Sequence, residues 1–155
     1  MKKIFVLILG IILFGCLSCC SNSDKQNFYG TYTFNEVSYL SGLSSSSISY
    51  LNEKMAGTKY TIKANIFKIE SKDNTTEISS PKYVKEEIPS NVTPLSDVHV
   101  FIGNDVKCQY SIRDKDGNKT KWRLYVSTDC LWIASYVDNT ANGSEIIMEI
   151  FKLSK

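Results

Sequence analysis

VKCQYSIRDKDGNKTKWRLYV, residues 106–126, is the stretch whose reading decides the fold. Val106, Cys108, Tyr110 and Ile112 share one parity, with Lys107, Gln109, Ser111 and Arg113 on the other. After the turn, Trp122, Leu124 and Val126 alternate with Arg123 and Tyr125. A period of two belongs to strands buried on one face. Pairing Cys108 with Val126, Tyr110 with Leu124 and Ile112 with Trp122 keeps both apolar sets together, whereas a slip of one residue would turn one set to water. This register centres the connection on Gly117 and predicts an odd-length turn with the glycine in a left-handed bulge.

Downstream, Thr128-Asp129 turns the chain into a third strand over 131–136, with Leu131 beside Val126. Cys108 and Cys130 then lie two strands apart, roughly 9–10 Å, beyond the ~7 Å between Cα atoms that a disulfide tolerates. Two free thiols are expected. Residues 138–144 (DNTANGS) form a loop, and 146–153 close the fold with Ile146, Met148 and Ile150 on one face.

Upstream, the aromatic and β-branched run from Phe28 (FYGTYTFNEVSYL) predicts the first strand. Ile48, Leu51 and Met55 stand at helical spacing after a serine-rich entry, with Ser46, Ser47 or Ser49 as cap and Gly57 as terminator. A helix this short must lie on the strands to persist. Tyr60, Ile62 and Ala64 share a face, Phe67 and Ile69 one of opposite parity, so a turn or bulge falls at Asn65. Residues 71–76 turn, 77–88 hold two polar strands around Pro81, and Pro89 to Pro94 bound a loop. Val98, Val100 and Ile102 alternate as a strand would. Many short strands with regular turns predict a mainly β domain, a small antiparallel β-barrel with one short helix after the first strand, over residues 28–155.

The first twenty residues, MKKIFVLILGIILFGCLSCC, have a different character. Lys2 and Lys3 precede an uncharged apolar run, residues 4–14, too short for the roughly 20 residues that span a bilayer. This is the layout of a bacterial export signal, here residues 1–15. Leu13-Phe14-Gly15-Cys16 resembles a lipoprotein signal and selects Cys16 for lipid attachment, with Cys20 and Cys19 as alternatives. Residues 16–27, small and polar, read as a flexible tether. The domain is therefore expected in the bacterial cell envelope, on the exported side of a membrane and held there by its lipid.

Charge narrows the partners. Of 18 basic side chains, Lys2 and Lys3 leave with the signal, so 16 remain against 16 acidic ones. The basic surplus that nucleic acid demands is absent. His99 is the only histidine, so no histidine pair is present for zinc or acid–base work. Asp114, Asp116 and Asn118 alternate like a calcium loop, but glycine falls at the fourth position and Tyr125 at the twelfth, and a hairpin turn uses the same residues. Glu86 and Glu87 are adjacent, so on a strand they face opposite ways and make a poor catalytic dyad. No catalytic constellation, metal site or cofactor motif emerges. The surplus is aromatic: Tyr29, Tyr32, Phe34, Tyr60, Phe67, Tyr110, Trp122, Trp132 and Tyr136 suit the lining of a cavity and equally a solid β core.

Phe28-Tyr29-Gly30-Thr31-Tyr32 resembles the opening of lipocalin-type and fatty-acid-binding proteins, where a glycine and then Trp or Tyr begin the first strand. A helical segment ending in Ala56-Gly57-Thr58, a strand from Lys59 to Lys63 and Pro81-Lys82-Tyr83 are similar to bacterial lipocalin-like lipoproteins. Here the aromatic is Tyr32 rather than Trp, and the closing strand lacks the carboxylate-gripping Arg-x-Tyr. The resemblance implies a non-catalytic binding module for a small apolar ligand, with Tyr32, Phe34, Tyr110, Trp122 and Leu124 as ligand-binding residues. The alternative is a protein-interaction module with a filled core, an envelope assembly factor or an inhibitor, working through loops 89–97 and 138–144.

Overall fold

A computed structural model describes residues 28–88, 97–106, 108–138 and 143–155. The signal at 1–15, the tether at 16–27 with Cys16, Cys19 and Cys20, and residues 89–96 and 139–142 of the two expected loops lie outside the described residues.

Among the described residues, nine strands form one antiparallel sheet: β1 (Gly30–Leu40), β2 (Lys59–Lys63), β3 (Ile66–Glu70), β4 (Thr75–Ser79), β5 (Lys82–Glu86), β6 (Cys108–Arg113), β7 (Lys119–Val126), β8 (Leu131–Asp138) and β9 (Glu145–Ser154). Their order is β4-β3-β2-β1-β9-β8-β7-β6-β5, an up-and-down path whose first strand meets its last. The expected barrel is not closed, because no ladder joins β4 to β5. The reason lies at Ser80-Pro81. Ser80 takes a left-handed φ of 51° and gives its N–H to the Asn65 carbonyl at 2.9 Å, while Pro81 has no N–H to offer. Both edge strands are also mainly polar and poorly buried, so little apolar area drives them together.

The sheet nevertheless curls back on itself. Phe67 on β3 and Trp122 on β7, with four strands between them, bring their rings to 6.3 Å. Across the open seam the Tyr83 hydroxyl donates to the Lys63 carbonyl at 3.2 Å. Register shifts in β1 between Phe34 and Glu36, and between Val37 and Tyr39, supply the bend. The Val37 N–H is taken by the Asn52 side chain at 3.0 Å, which pins helix α1 (Ile48–Met55) to the bent strand. Ser47 caps α1 as expected, accepting the Tyr50 N–H at 3.2 Å, and Gly57 ends it at φ 77°. Leu51 is buried, but Ile48 is 49 % exposed.

The hairpin follows the register read from the sequence at Cys108–Val126 and Tyr110–Leu124. Beyond Ser111 the ladder shifts: Arg113 meets Lys119, and Ile112 is not laddered to Trp122. Thr120 instead donates its hydroxyl to the Ile112 carbonyl at 2.6 Å. Gly117 adopts φ 94°, the left-handed conformation expected of it. The Asp114 carboxylate accepts the N–H groups of Asp116 and Asn118, each at 2.9 Å, so its oxygens build the turn. Val126 pairs with Leu131, and Cys108 and Cys130 are free thiols.

Two readings are corrected on the outer face. Val98, Val100 and Ile102 belong not to a strand but to a short helix, α2 (Val98–Ile102), started by the Asp97 carboxylate accepting the His99 N–H at 3.0 Å. Helical rotation separates the apparent stripe: Val98 is buried while Val100 is 63 % exposed. His99 is half-buried with Nδ1 3.2 Å from the Gly103 carbonyl oxygen. Phe101 stacks on Tyr39 at 3.7 Å, laying α2 against the sheet. The face expected to meet solvent therefore carries a second apolar cluster, which contains Trp132 and Tyr136 as well as Val98, Tyr125 and Ile147.

Candidate functional site

Alternation turns the five expected ligand residues, Tyr32, Phe34, Tyr110, Trp122 and Leu124, toward the inside of the curl, where all join the main apolar cluster. They do not form one site. Phe34 packs edge-on against Phe151 at 5.5 Å, Tyr110 lies 4.6 Å from Phe28, and Leu124 is fully buried. These three fill the middle. A cleft opens at each end, with Tyr32 in one and Trp122 in the other.

The Tyr32 cleft, about 360 Å³, runs between β1, the β7–β8 turn and the end of β9. Its hydroxyl is committed, donating to the Phe28 carbonyl at 2.8 Å. The second cleft, about 330 Å³, lies beneath α1. Leu51, Met55, Tyr60, Ile69, Trp122 and Phe151 give it apolar walls, and Lys54, Asp73, Lys121 and Glu149 supply charge. Tyr60 is fully buried and its hydroxyl has no hydrogen-bond partner among the described residues. Such a group costs roughly 1–3 kcal/mol when left unpaired. Burial, and then the negative charge of Glu149, hold the Tyr60 hydroxyl well above the ordinary tyrosine range, so it is protonated and able to donate.

The sequence reading placed Tyr60 among the aromatics and passed over Glu149. Its signal was parity: Glu149 alternates with Phe151 and Leu153, which face inward, whereas Ile150, of the set read as sharing one face, lies in the outer cluster. Glu149 accepts from the Ser135 hydroxyl at 3.4 Å.

A second polar group lies on the outer face. Glu86 accepts from Ser111 at 2.7 Å and from Gln109 at 3.1 Å, with Arg113 3.5 Å away. Burial pushes the Glu86 carboxyl up, but those hydrogen bonds and the charges of Lys119 and Arg123 outweigh it and leave it below the usual range. Arg123 is buried, bonded to Glu145 and set 3.9 Å over the Tyr136 ring. Beneath it the Tyr125 and Tyr136 hydroxyls bond to each other. These side chains bond mainly to one another, so the group braces β5 to β9 and leaves the α1 cleft as the candidate site. Among the described residues, no three His, Cys, Asp or Glu side chains are placed to hold a metal ion. Comparison with protein-family models, curated proteins and solved structures gave no match.

Proposed function

We propose that this chain is an envelope-anchored lipoprotein whose lipocalin-like β domain is a non-catalytic binding module for a small apolar ligand, held in the cleft beneath α1. The observation that carries the reading is the cleft itself, walled by the apolar side chains of Leu51, Met55, Ile69, Trp122 and Phe151. A concave, mainly apolar cleft with a few polar groups at its edges is where a small apolar molecule would be held. The lipocalin-like element rests on the up-and-down path in which β1 meets β9. The sheet and both apolar clusters lie within residues 28–155, so this part carries its own core and can be expressed alone. Native mass spectrometry of it should show a co-purifying apolar molecule. A bare mass, with no saturable binding of an apolar fluorescent probe at micromolar concentration, would leave the interaction-module reading. One observation favours that second reading: Leu43, Ile48 and Tyr50, around the start of α1, are 71 %, 49 % and 52 % exposed.

The anchor rests on residues 1–20 of the sequence. Cys16→Ser is expected to abolish lipid labelling and membrane fractionation of the full chain. Labelling that survives Cys16→Ser but is lost in Cys20→Ser would move the attachment site to Cys20, and labelling that survives both substitutions would move it to Cys19.

A further inference from the structure

We propose that residues 42–57 form a flap over the α1 cleft, latched to the sheet by Asn52, and that opening of this flap admits and releases the ligand. The inference rests on the binding reading above and adds the route by which the cleft is reached.

The flap is the stretch between two backbone anchors. Before it, the Ser41 N–H donates to the Met148 carbonyl of β9 at 2.8 Å; after it, the Thr58 carbonyl accepts the Phe34 N–H of β1 at 2.9 Å. Ser41 and Thr58 are both buried. Between them Leu51 is the only buried side chain, and Ile48, Ser49, Tyr50, Glu53 and Lys54 of α1 are exposed. A helix of two turns does not persist in water by itself. An element with so little buried apolar surface belongs to the part of a fold that opens locally at small cost.

What holds α1 down is specific. The ladder between β1 and β2 stops at Thr33–Lys59, and β1 runs on past it. Beyond that pair the place beside β1 is taken by α1, and Asn52 Oδ1 accepts the Val37 N–H at 3.0 Å. Among the described residues this is the one hydrogen bond between α1 and a strand. When α1 lifts, water can take the Val37 N–H. The latch is then worth the net of one neutral hydrogen bond, a factor of about three to ten in the opening equilibrium.

The walls of the cleft divide along the same line. Leu51, Lys54 and Met55 belong to the flap, whereas Ile69, Trp122 and Phe151 stand on β3, β7 and β9. Release of Asn52 and Leu51 therefore removes one wall and leaves the others in the sheet. The cleft opens without unfolding the domain.

The test uses residues 28–155 with N-phenyl-1-naphthylamine as an apolar fluorescent probe. Hydrogen exchange of the unliganded protein, read by mass spectrometry, should run at least about a hundredfold faster in residues 48–57 than in β8 and β9. Asn52→Ala should raise flap exchange about three- to tenfold and speed both binding and release of the probe by the same factor in stopped flow. Because the latch is closed in the free and the bound protein alike, the equilibrium affinity should stay within about twofold. Asn52→Asp, which keeps the acceptor, should restore the slow rates. Probe rates unchanged in Asn52→Ala while flap exchange rises, or flap exchange as slow as that of β8 and β9, overturn the inference and leave the binding reading standing. Absence of saturable probe binding removes the binding reading, and the inference with it.

Discussion

Phe67→Ala is expected to lower the unfolding free energy by about 3–5 kcal/mol and the melting temperature by roughly 10 °C or more. Phe67 has no exposed surface, sits on β3 opposite Ile62 and Ile78, and meets Trp122 across the interior. It is one of the few side chains that touch both limbs of the curl, so its removal opens a void that neither limb can fill alone. The void borders the α1 cleft through Trp122, and tryptophan emission should move to longer wavelength in the folded variant. Urea titration measures the loss. A cost below about 1 kcal/mol would mean that the two limbs do not pack on each other at this point. Leu43→Ala, at a 71 % exposed site, serves as the control and should change stability by no more than about 0.5 kcal/mol.

Glu145→Gln is expected to cost about 2 kcal/mol, less than the 3–5 kcal/mol of a fully buried pair, because the Glu145 side chain is 31 % exposed. The substitution keeps the shape and removes the charge that faces Arg123, whose side chain is only 8 % exposed. Arg123→Met should cost less, within about 1 kcal/mol, because Glu145 would keep water and Lys119 at 3.8 Å while the buried and unpartnered Arg123 Nε disappears. Equal losses in the two variants would contradict this asymmetry. The neighbouring Glu86 adds a pH dependence. Its folded pKa is lowered, so its contribution is present above the ordinary glutamate pKa of about 4.3 and is lost as the pH falls through the lower folded value. Gln109, Ser111 and Arg113 would then face a neutral acid, and stability should decline on acidification below about pH 4. Chemical denaturation across that range, with Glu86→Gln as reference, isolates the effect.

The hairpin was legible because its two strands carry strict alternation and its turn has one glycine suited to a left-handed φ. Those features are local, and Cys108–Val126 and Tyr110–Leu124 pair as read. Helix α1 was legible for the same reason, through Ser47 and Gly57. What escaped the reading depends on distant parts of the chain. Val98, Val100 and Ile102 carry strand-like alternation, and only the cap at Asp97 and the stacking of Phe101 on Tyr39 turn the segment into a helix. Gln109, Ser111 and Arg123 are buried although their alternation marks them as solvent-facing, because Glu86 packs on the first two and Glu145 and Tyr136 on the third. A polar side chain at an outward position records its parity but not what later packs over it.

The candidate site shows the same limit from the other side. Its apolar walls were named in part through Trp122, and aromatic content alone suggested a lined interior. Tyr60 and Glu149 both line the cleft, and neither stands in a motif. They line one cleft because β1 joins β2 to β9 in the sheet, an arrangement between strands more than eighty residues apart. No spacing in the sequence expresses that neighbourhood.

The pairing of β1 with β9 also bears on how the chain is made. All the other ladders join strands that follow one another, so each hairpin can assemble soon after its second strand is synthesised. β1 is different: β2 covers one edge early, but its partner on the other side, the ten-residue β9, is the last of the nine strands to be made. Until the ribosome has released that segment, an eleven-residue strand of aromatic character keeps an open row of N–H and C=O groups. A nascent chain of this protein therefore stays adhesive until β9 is made, and a chaperone that shields β1 would be needed longest for the first of the nine strands to emerge.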